Sequence, residues 1–200
     1  MLLFPTAYTH PKGTVFFSSL EIAFLQIGYA FSDDTQVTFS TVPTYSTGIA
    51  PLDLSLKTVV ARQGRVLVAA LGSVTGLIGL DDGFIFAGRA GGVAQLCLED
   101  RCASSLNIGA NVLFLGPVIL AVTTVGAILQ ISNTVALLLE VDTLVPVGRE
   151  VGQINAIALG AGIRFLRTRW SIDLGMIGTP DVASAATPAI PILAATYRFL

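Results

Sequence analysis

Charge is scarce in this 200-residue sequence: Asp, Glu, Lys and Arg make up 12% of it, about half the share in an average soluble domain. A soluble fold needs a charged outer surface and a disordered chain needs a charge excess, so both classes are disfavoured from the outset. The 11 Lys and Arg and 13 Asp and Glu, net charge −2, are scattered without runs, which leaves no basic face for nucleic acid. Histidine occurs once, as His10, in a stretch that reads as a solvated turn beside Pro11. One imidazole there builds neither a Ser-His pair nor a metal constellation, so no metal, cofactor or catalytic residue is expected. The Gly-rich pieces GRAGG and LGAGIRF lack the third glycine or the GK[ST] ending of a phosphate loop. A secretory signal is also missing: MLLFPTAYTHPKG carries Pro5 and no cation before Lys12, where a basic start and a small-residue cleavage site are required. If the protein is exported, the sequence is expected to be a mature or truncated chain. The two cysteines, Cys97 and Cys102, flank a turn in QLCLEDRCASS. Their spacing suits a hairpin disulfide in an oxidising compartment, yet strand alternation sets Cys97 on an inner face and Cys102 on an outer one unless a bulge intervenes. A bridge and two free thiols both stay open.

What is present is an apolar background, 53% hydrophobic with a mean hydropathy of +0.77, patterned with a period of two. Ile157, Leu159, Ala161, Ile163 and Phe165 alternate with Ala158, Gly160, Gly162 and Arg164; Trp170, Ile172, Leu174 and Met176 with Ser171, Asp173 and Gly175. Leu193, Ala195, Tyr197 and Phe199, the Leu52–Leu54–Leu56 set and the Leu106-to-Phe114 set repeat the pattern. Side chains of a strand point alternately to its two faces, and a helix does not produce this pattern. Turn signals such as SDDT, RQGR, LEDR, RTR and Gly116–Pro117 divide the chain into about twelve strands. They are predicted near 2–8, 14–31 (long and kinked), 35–42, 52–61, 65–78, 84–98, 103–115, 118–131, 134–145, 154–166, 170–177 and 189–199. No linker interrupts them, so residues 1–200 are read as one domain, an all-β closed antiparallel barrel.

The less apolar face is rich in Gly, Ala, Ser, Thr and Asn with isolated charges, which suits a crowded interior, while continuous Leu, Ile, Val and Phe suit hydrocarbon. In lipid every strand edge must be paired, which forces closure. Loop lengths agree: with both termini on one side, SDDT, RQGR, LEDR, SN and RTR are short near-side turns, and TYSTGIAP, PVGREVGQ and GTPDVASAATP are long far-side loops. Aromatics fall where a membrane interface would place them, with Tyr29, Phe31, Phe165, Trp170, Tyr197 and Phe199 at near strand ends and Phe84, Phe86 and Phe114 at far ends, all pointing outward.

In these features the chain resembles bacterial outer-membrane β-barrel proteins, and its last strand, AIPILAATYRFL, is similar to the aromatic-rich terminal strand that their assembly machinery reads, although Leu200 follows Phe199. LLFPTAYTHPKGTVFF and GYAFSDDTQVTF resemble a pattern of uncharacterised barrel proteins. The resemblance implies a bacterial outer-membrane location, with membrane lipid and the assembly machinery as partners. The expected function is a passive pore or small-solute transporter, not an enzyme, whose lumen is lined by Asp53, Lys57, Arg89, Gln95, Glu140, Asp142, Arg164, Asp173 and Arg198. Glu140 and Asp142 share a strand face and are expected to meet Arg164, Arg89 or Arg198, because an inward charge persists only if paired or wetted.

Competing readings are a plugged scaffold barrel with the same charges in a closed network, a soluble lipocalin-type binder, and a lipid-modifying enzyme, for which no nucleophile and base are visible. The last is a polytopic helical inner-membrane protein. The uncharged stretch VLFLGPVILAVTTVGAILQI is long enough for a membrane helix, but its β-branched residues and internal Gly–Pro favour two strands.

Overall fold

The structure, a computed structural model, describes residues 6–20, 24–42, 49–79, 84–147, 156–179 and 189–199, with the side chains at 20, 24, 49–50, 77–79 and 84–85 outside that description. Its strands are β1 (Val15–Leu20), β2 (Phe24–Ala30), β3 (Thr35–Thr41), β4 (Ile49–Gln63), β5 (Val66–Gly79) and β6 (Phe84–Cys97), followed by β7 (Ser105–Leu115), β8 (Val118–Ser132), β9 (Val135–Val147), β10 (Ala156–Leu166), β11 (Trp170–Gly178) and β12 (Ile190–Phe199). Each pairs antiparallel with the next, and β12 returns to β1 from Val15↔Phe199 to Leu20↔Ala194, closing the barrel. No helix among the described residues is long and apolar enough to cross a membrane. The 112–131 stretch is the end of β7, a turn at Gly116–Pro117 and most of β8, so the polytopic helical reading is excluded.

Twelve strands are found where about twelve were expected, but the first two differ. Residues 6–14 are not a strand, and the long segment 14–31 is the β1–β2 hairpin, paired from Val15↔Tyr29 to Leu20↔Phe24. The sequence between them, Glu21–Ile22–Ala23, carries no Gly, Pro, Asn or Asp, and a turn without such residues leaves no local signal. The N-terminal segment has no free edge to join, because β1 and β12 already occupy each other's.

The end where β12 finishes and β1 begins, here the near end, holds the connections 31–34, 64–65, 98–104, 133–134 and 167–169. HPKG, expected as a far-side turn, is at this end too: Gly13 N–H bonds the Ala30 carbonyl and Thr14 accepts from Ala30 N–H. The long loops TYSTGIAP, PVGREVGQ and GTPDVASAATP lie largely outside the described residues. Near the near rim Arg62 pairs with Asp34 at 2.9 Å and Arg65 with Asp100 at 2.7 Å, all more than half exposed, as ion pairs at an aqueous boundary would be.

Alternation holds around the wall. The burial of β7 switches residue by residue, with Ser105, Asn107, Gly109 and Asn111 inside and Leu106 and Ile108 outside. Outward polar groups bond across strands, as the Thr123 and Thr143 hydroxyls do, which lowers the cost of facing an apolar medium. Two glycines are fixed by what lies against them. A Cβ on Gly28 would enter the Phe16 ring, and one on Gly91 would stand 2.2 Å from the Ala110 carbonyl oxygen and 2.7 Å from Asn111 Cα. Backbone cannot yield there as a flexible side chain can, so Gly91→Ala is expected to destabilise the barrel by about 1–3 kcal/mol, the usual cost of overpacking. Gly72→Ala, whose new methyl would find its nearest neighbour at 3.9 Å, should be tolerated. Thermal loss of the compact band on unheated SDS gels separates the two variants.

Candidate functional site

The candidate site is the lumen. Closure turns one face of every strand inward, and the buried charges follow: Glu140 and Asp142 on β9, Asp173 on β11, and Gln95 on β6 are all more than nine-tenths buried. Asp53 and Lys57 share the inner face of β4, where they pair in register with Ser40 and Gln36 of β3. Arg89 faces Ser73 on β5, and Arg198 lies opposite Phe16 on β1.

Pairing among these groups differs from expectation. Arg164 and Asp173 are register neighbours on β10 and β11 and form a two-pronged bridge, Nε to Oδ1 at 2.7 Å and a terminal guanidinium nitrogen to Oδ2 at 2.6 Å. Arg164 is therefore engaged on its own hairpin, with Asp173. Asp142 Oδ1 accepts the Thr124 hydroxyl at 2.6 Å, and its Oδ2 has no hydrogen-bond partner. Glu140 sits in a row between Gly126 and Gly160. Asp53 accepts the Thr75 hydroxyl at 2.7 Å. Nε of Arg89 and of Arg198 is buried without a hydrogen-bond partner, as are the Asn107 and Asn111 side-chain oxygens.

The lumen is also more apolar than the sequence suggested. Leu67, Ala69, Leu71, Val93 and Cys97 form one buried cluster at the near end, and Ile128, Ala136, Leu138, Ile177 and Ile192 form a second. In the second, inward glycines make the room: Leu138 faces Gly162 on β10, which faces Gly175 on β11, which faces Ile192 on β12. Cys97 and Cys102 are joined by a disulfide with 4.6 Å between their Cα atoms. The facing problem is removed because Cys102 lies in the connection before β7, with a positive φ of 54°.

Residues 6–14, which sequence reasoning made a strand and a turn, pack at the near end, with Ala7, Thr9 and Thr14 buried and residues 11–13 exposed. Ala7 is fully buried within the first apolar cluster. Backbone N–H groups of Tyr8, His10 and Lys12 donate to Gln95 Oε1 at 3.1 Å, Gln36 Oε1 at 3.2 Å and Asp33 Oδ1 at 2.8 Å. Lys57 Nζ donates to the carbonyls of Thr6 and Tyr8, and the Thr9 hydroxyl donates to the Asp33 carbonyl. His10 is thus not a solvated turn residue. Its ring lies 4.3 Å from that of Phe16, and burial, followed by the charges of Arg198 and Lys57, pushes its pKa down to about 4. The polar wall residues Gln36 and Gln95 were the available signal, since an inward glutamine on a crowded wall needs a partner.

On the outer side Tyr29, Phe31, Phe165, Trp170, Tyr197 and Phe199 are exposed towards the near end and Phe86 and Phe114 towards the far end, with Phe31 in the turn after β2. Phe84 belongs to β6, but its side chain lies outside the described residues. Phe17, which sequence reasoning missed, is exposed on the same outer face and in register with Tyr197. Tyr29 and Phe31, and Tyr197 and Phe199, stack edge to face at 4.9 and 4.8 Å.

The Arg164–Asp173 bridge has 22% and 10% of its side chains exposed, so deleting one partner strands the other in a poorly hydrated site. Asp173→Ala is expected to cost about 3–5 kcal/mol. Asp173→Ala combined with Arg164→Leu should recover most of that loss, as measured by urea unfolding in detergent micelles.

No protein-family model matches the chain, and no curated protein matches it in sequence. Among solved structures it is similar to a KdgM porin, with a TM-score of 0.67 and 8% identity over 94% of this chain and 99% of that one. It also matches an outer-membrane expressed OmpT of Vibrio cholerae, with a TM-score of 0.46 and 9% identity over 88% of this chain and 64% of that one. The fold is therefore a closed twelve-stranded antiparallel barrel similar to that of the KdgM porin.

Proposed function

We propose that the chain is a porin-like channel of a bacterial outer membrane that passes small solutes and performs no catalysis. The observation that carries this reading is the opposition of two faces on one closed wall. Leu54, Leu56, Val74, Ile108, Val125, Leu159, Leu174 and Met176 are half exposed on the outside, while Asp53, Lys57, Arg89, Gln95, Glu140, Asp142, Arg164, Asp173 and Arg198 face inward. In water that arrangement is inside out; in a bilayer it matches hydrocarbon outside and a polar passage within. The barrel's likeness to the KdgM porin supports the same reading. The lumen charges then bias which solutes pass, and the C-terminal strand β12 is the segment through which assembly machinery would recognise the chain.

Planar-bilayer recording at neutral and acid pH tests it. Discrete channel conductance is expected, and Arg198→Gln or Arg164→Gln should shift the reversal potential towards cation preference, because each removes a positive charge from the passage. A bilayer silent at both pH values would overturn the pore.

The outward aromatics are assigned to the membrane interfaces, where amphipathic rings collect. Trp170 is the single tryptophan and starts β11 at the near end. Its fluorescence should be quenched more strongly by lipids brominated close to the headgroup than by lipids brominated at mid-chain. Equal or reversed quenching would remove Trp170 from the interface.

A further inference from the structure

The segment before β1 is built into the lumen and not merely lodged there. From Thr14 back to Thr6 it is tied in turn to β2 through Ala30, to the β2–β3 turn through Asp33, to β3 through Gln36, to β4 through Lys57 and to β6 through Gln95. Ala7 completes an apolar cluster with Leu67, Ala69 and Leu71 of β5 and Val93 and Cys97 of β6. His10 rests on Phe16 of β1, whose ring occupies the space that Gly28 leaves. One short segment thus touches each of β1 to β6 at the near end, half of the wall. Beyond a backbone pair that ties Gly13 and Thr14 to Ala30 where β1 begins, these anchors are of the exchangeable kind: single hydrogen bonds that each involve a side chain, and one small buried methyl. A segment so held opens locally at far lower cost than the wall does.

We propose that residues 6–14 are a docked strap that narrows the near end of the lumen, and that acid releases it through His10 and so widens the pore. The proposal rests on the pore reading above. The groups facing His10 are Arg198 from β12, Lys57 from β4, Phe16 from β1 and Gln36 from β3, with Asp33 holding the strap beside it. Two of these are cations, and the His10 Nδ1 is buried without a hydrogen-bond partner, so the docked state favours the neutral imidazole. Released into water, the same imidazole takes a proton near pH 6.5. The sign follows: docking is fully favoured above pH 6.5, weakens as pH falls below it, and stops weakening below about 4. Between pH 7.5 and pH 5 the ratio of released to docked strap should rise about thirty-fold.

Two readouts on the full chain in detergent or bilayer test this. The first is hydrogen exchange of the strap amides Tyr8, His10 and Lys12, corrected for the intrinsic pH dependence of exchange. The second is single-channel conductance. The wild type should be protected at pH 7.5 and lose at least tenfold in protection at pH 5, with conductance rising in step. Ala7→Asp, which puts a charge into the apolar cluster and leaves the wall unchanged, should be unprotected and more conductive already at pH 7.5. Lys57→Met, which removes two strap anchors, serves the same purpose if Ala7→Asp does not fold. His10→Phe keeps the ring on Phe16 and removes the titration, so it should stay protected at both pH values. Free exchange of the wild-type strap at pH 7.5, a conductance indifferent to Ala7→Asp, or a His10→Phe variant that responds to acid as the wild type does would each overturn the strap as an acid-released gate. Strap amides that respond as expected in a barrel with no conductance under any condition would instead overturn the pore itself, and the gate with it.

Discussion

Closure of the sheet is the constraint from which the rest follows. The β1–β12 pairing gives every strand a hydrogen-bonded neighbour on both sides, and only with such closure is a wall this apolar compatible with a medium that offers no hydrogen bonds. Closure also turns a local alternation into a global partition. Each residue of a strand is assigned to one of two environments, and a shift of one residue in any strand would exchange them. The two register irregularities, at Val59/Ala61 and Gln130/Ser132, both sit close to the near rim, where a local disturbance exchanges few side chains between lumen and exterior.

Within that partition, side-chain size sets the shape of the lumen. Inward glycines on β10 and β11 lie side by side in register, flanked by Leu138 and Ile192 of the next strands, so large apolar groups occupy space that small ones vacate. The charges obey the same economy of space. Arg164 and Asp173 bridge between adjacent strands at one register position, and Thr75 and Thr124 supply hydroxyls to Asp53 and Asp142 from the strand next door. Asp53, Asp142 and Asp173 are each stabilised from the adjacent strand, which requires no ordering of groups across the lumen.

The alternation made most of this legible. Strands β3 to β12, and the two faces of those that alternate, could be read from residues such as Leu52–Leu54–Leu56 and Trp170–Ile172–Leu174, because period-two patterning is a local property that burial amplifies. Three features were not legible, each for a physical reason. Between β1 and β2 the sequence reads Glu21–Ile22–Ala23, with none of the residues that signal a turn. The inward Leu67, Leu71 and Leu138 lie on strands apolar on both faces, so hydropathy could not tell lumen from exterior. The strap is specified by contacts to residues as far along the chain as Gln95, and Asp142 is bonded by the Thr124 hydroxyl of the neighbouring strand where an arginine was expected, a choice that likewise depends on nonlocal contacts.

The disulfide shows how the near end couples these levels. Cys97 closes β6 on its inner face and Cys102 reaches back to it from the connection to β7. Cys97 belongs to the apolar cluster that receives Ala7, and Cys102 packs at its edge while accepting a hydrogen bond from Gln95 Nε2 at 3.3 Å. Gln95 in turn holds Tyr8 through its Oε1. A covalent link in a near-side turn therefore fixes the one glutamine whose two ends join the wall to the strap. The same turn is tied to its neighbour by Arg65, which binds both the Asp100 carboxylate and the Leu98 carbonyl. Rigidity at this end belongs to the wall, which is what allows a weakly anchored segment inside it to move while the barrel keeps its register.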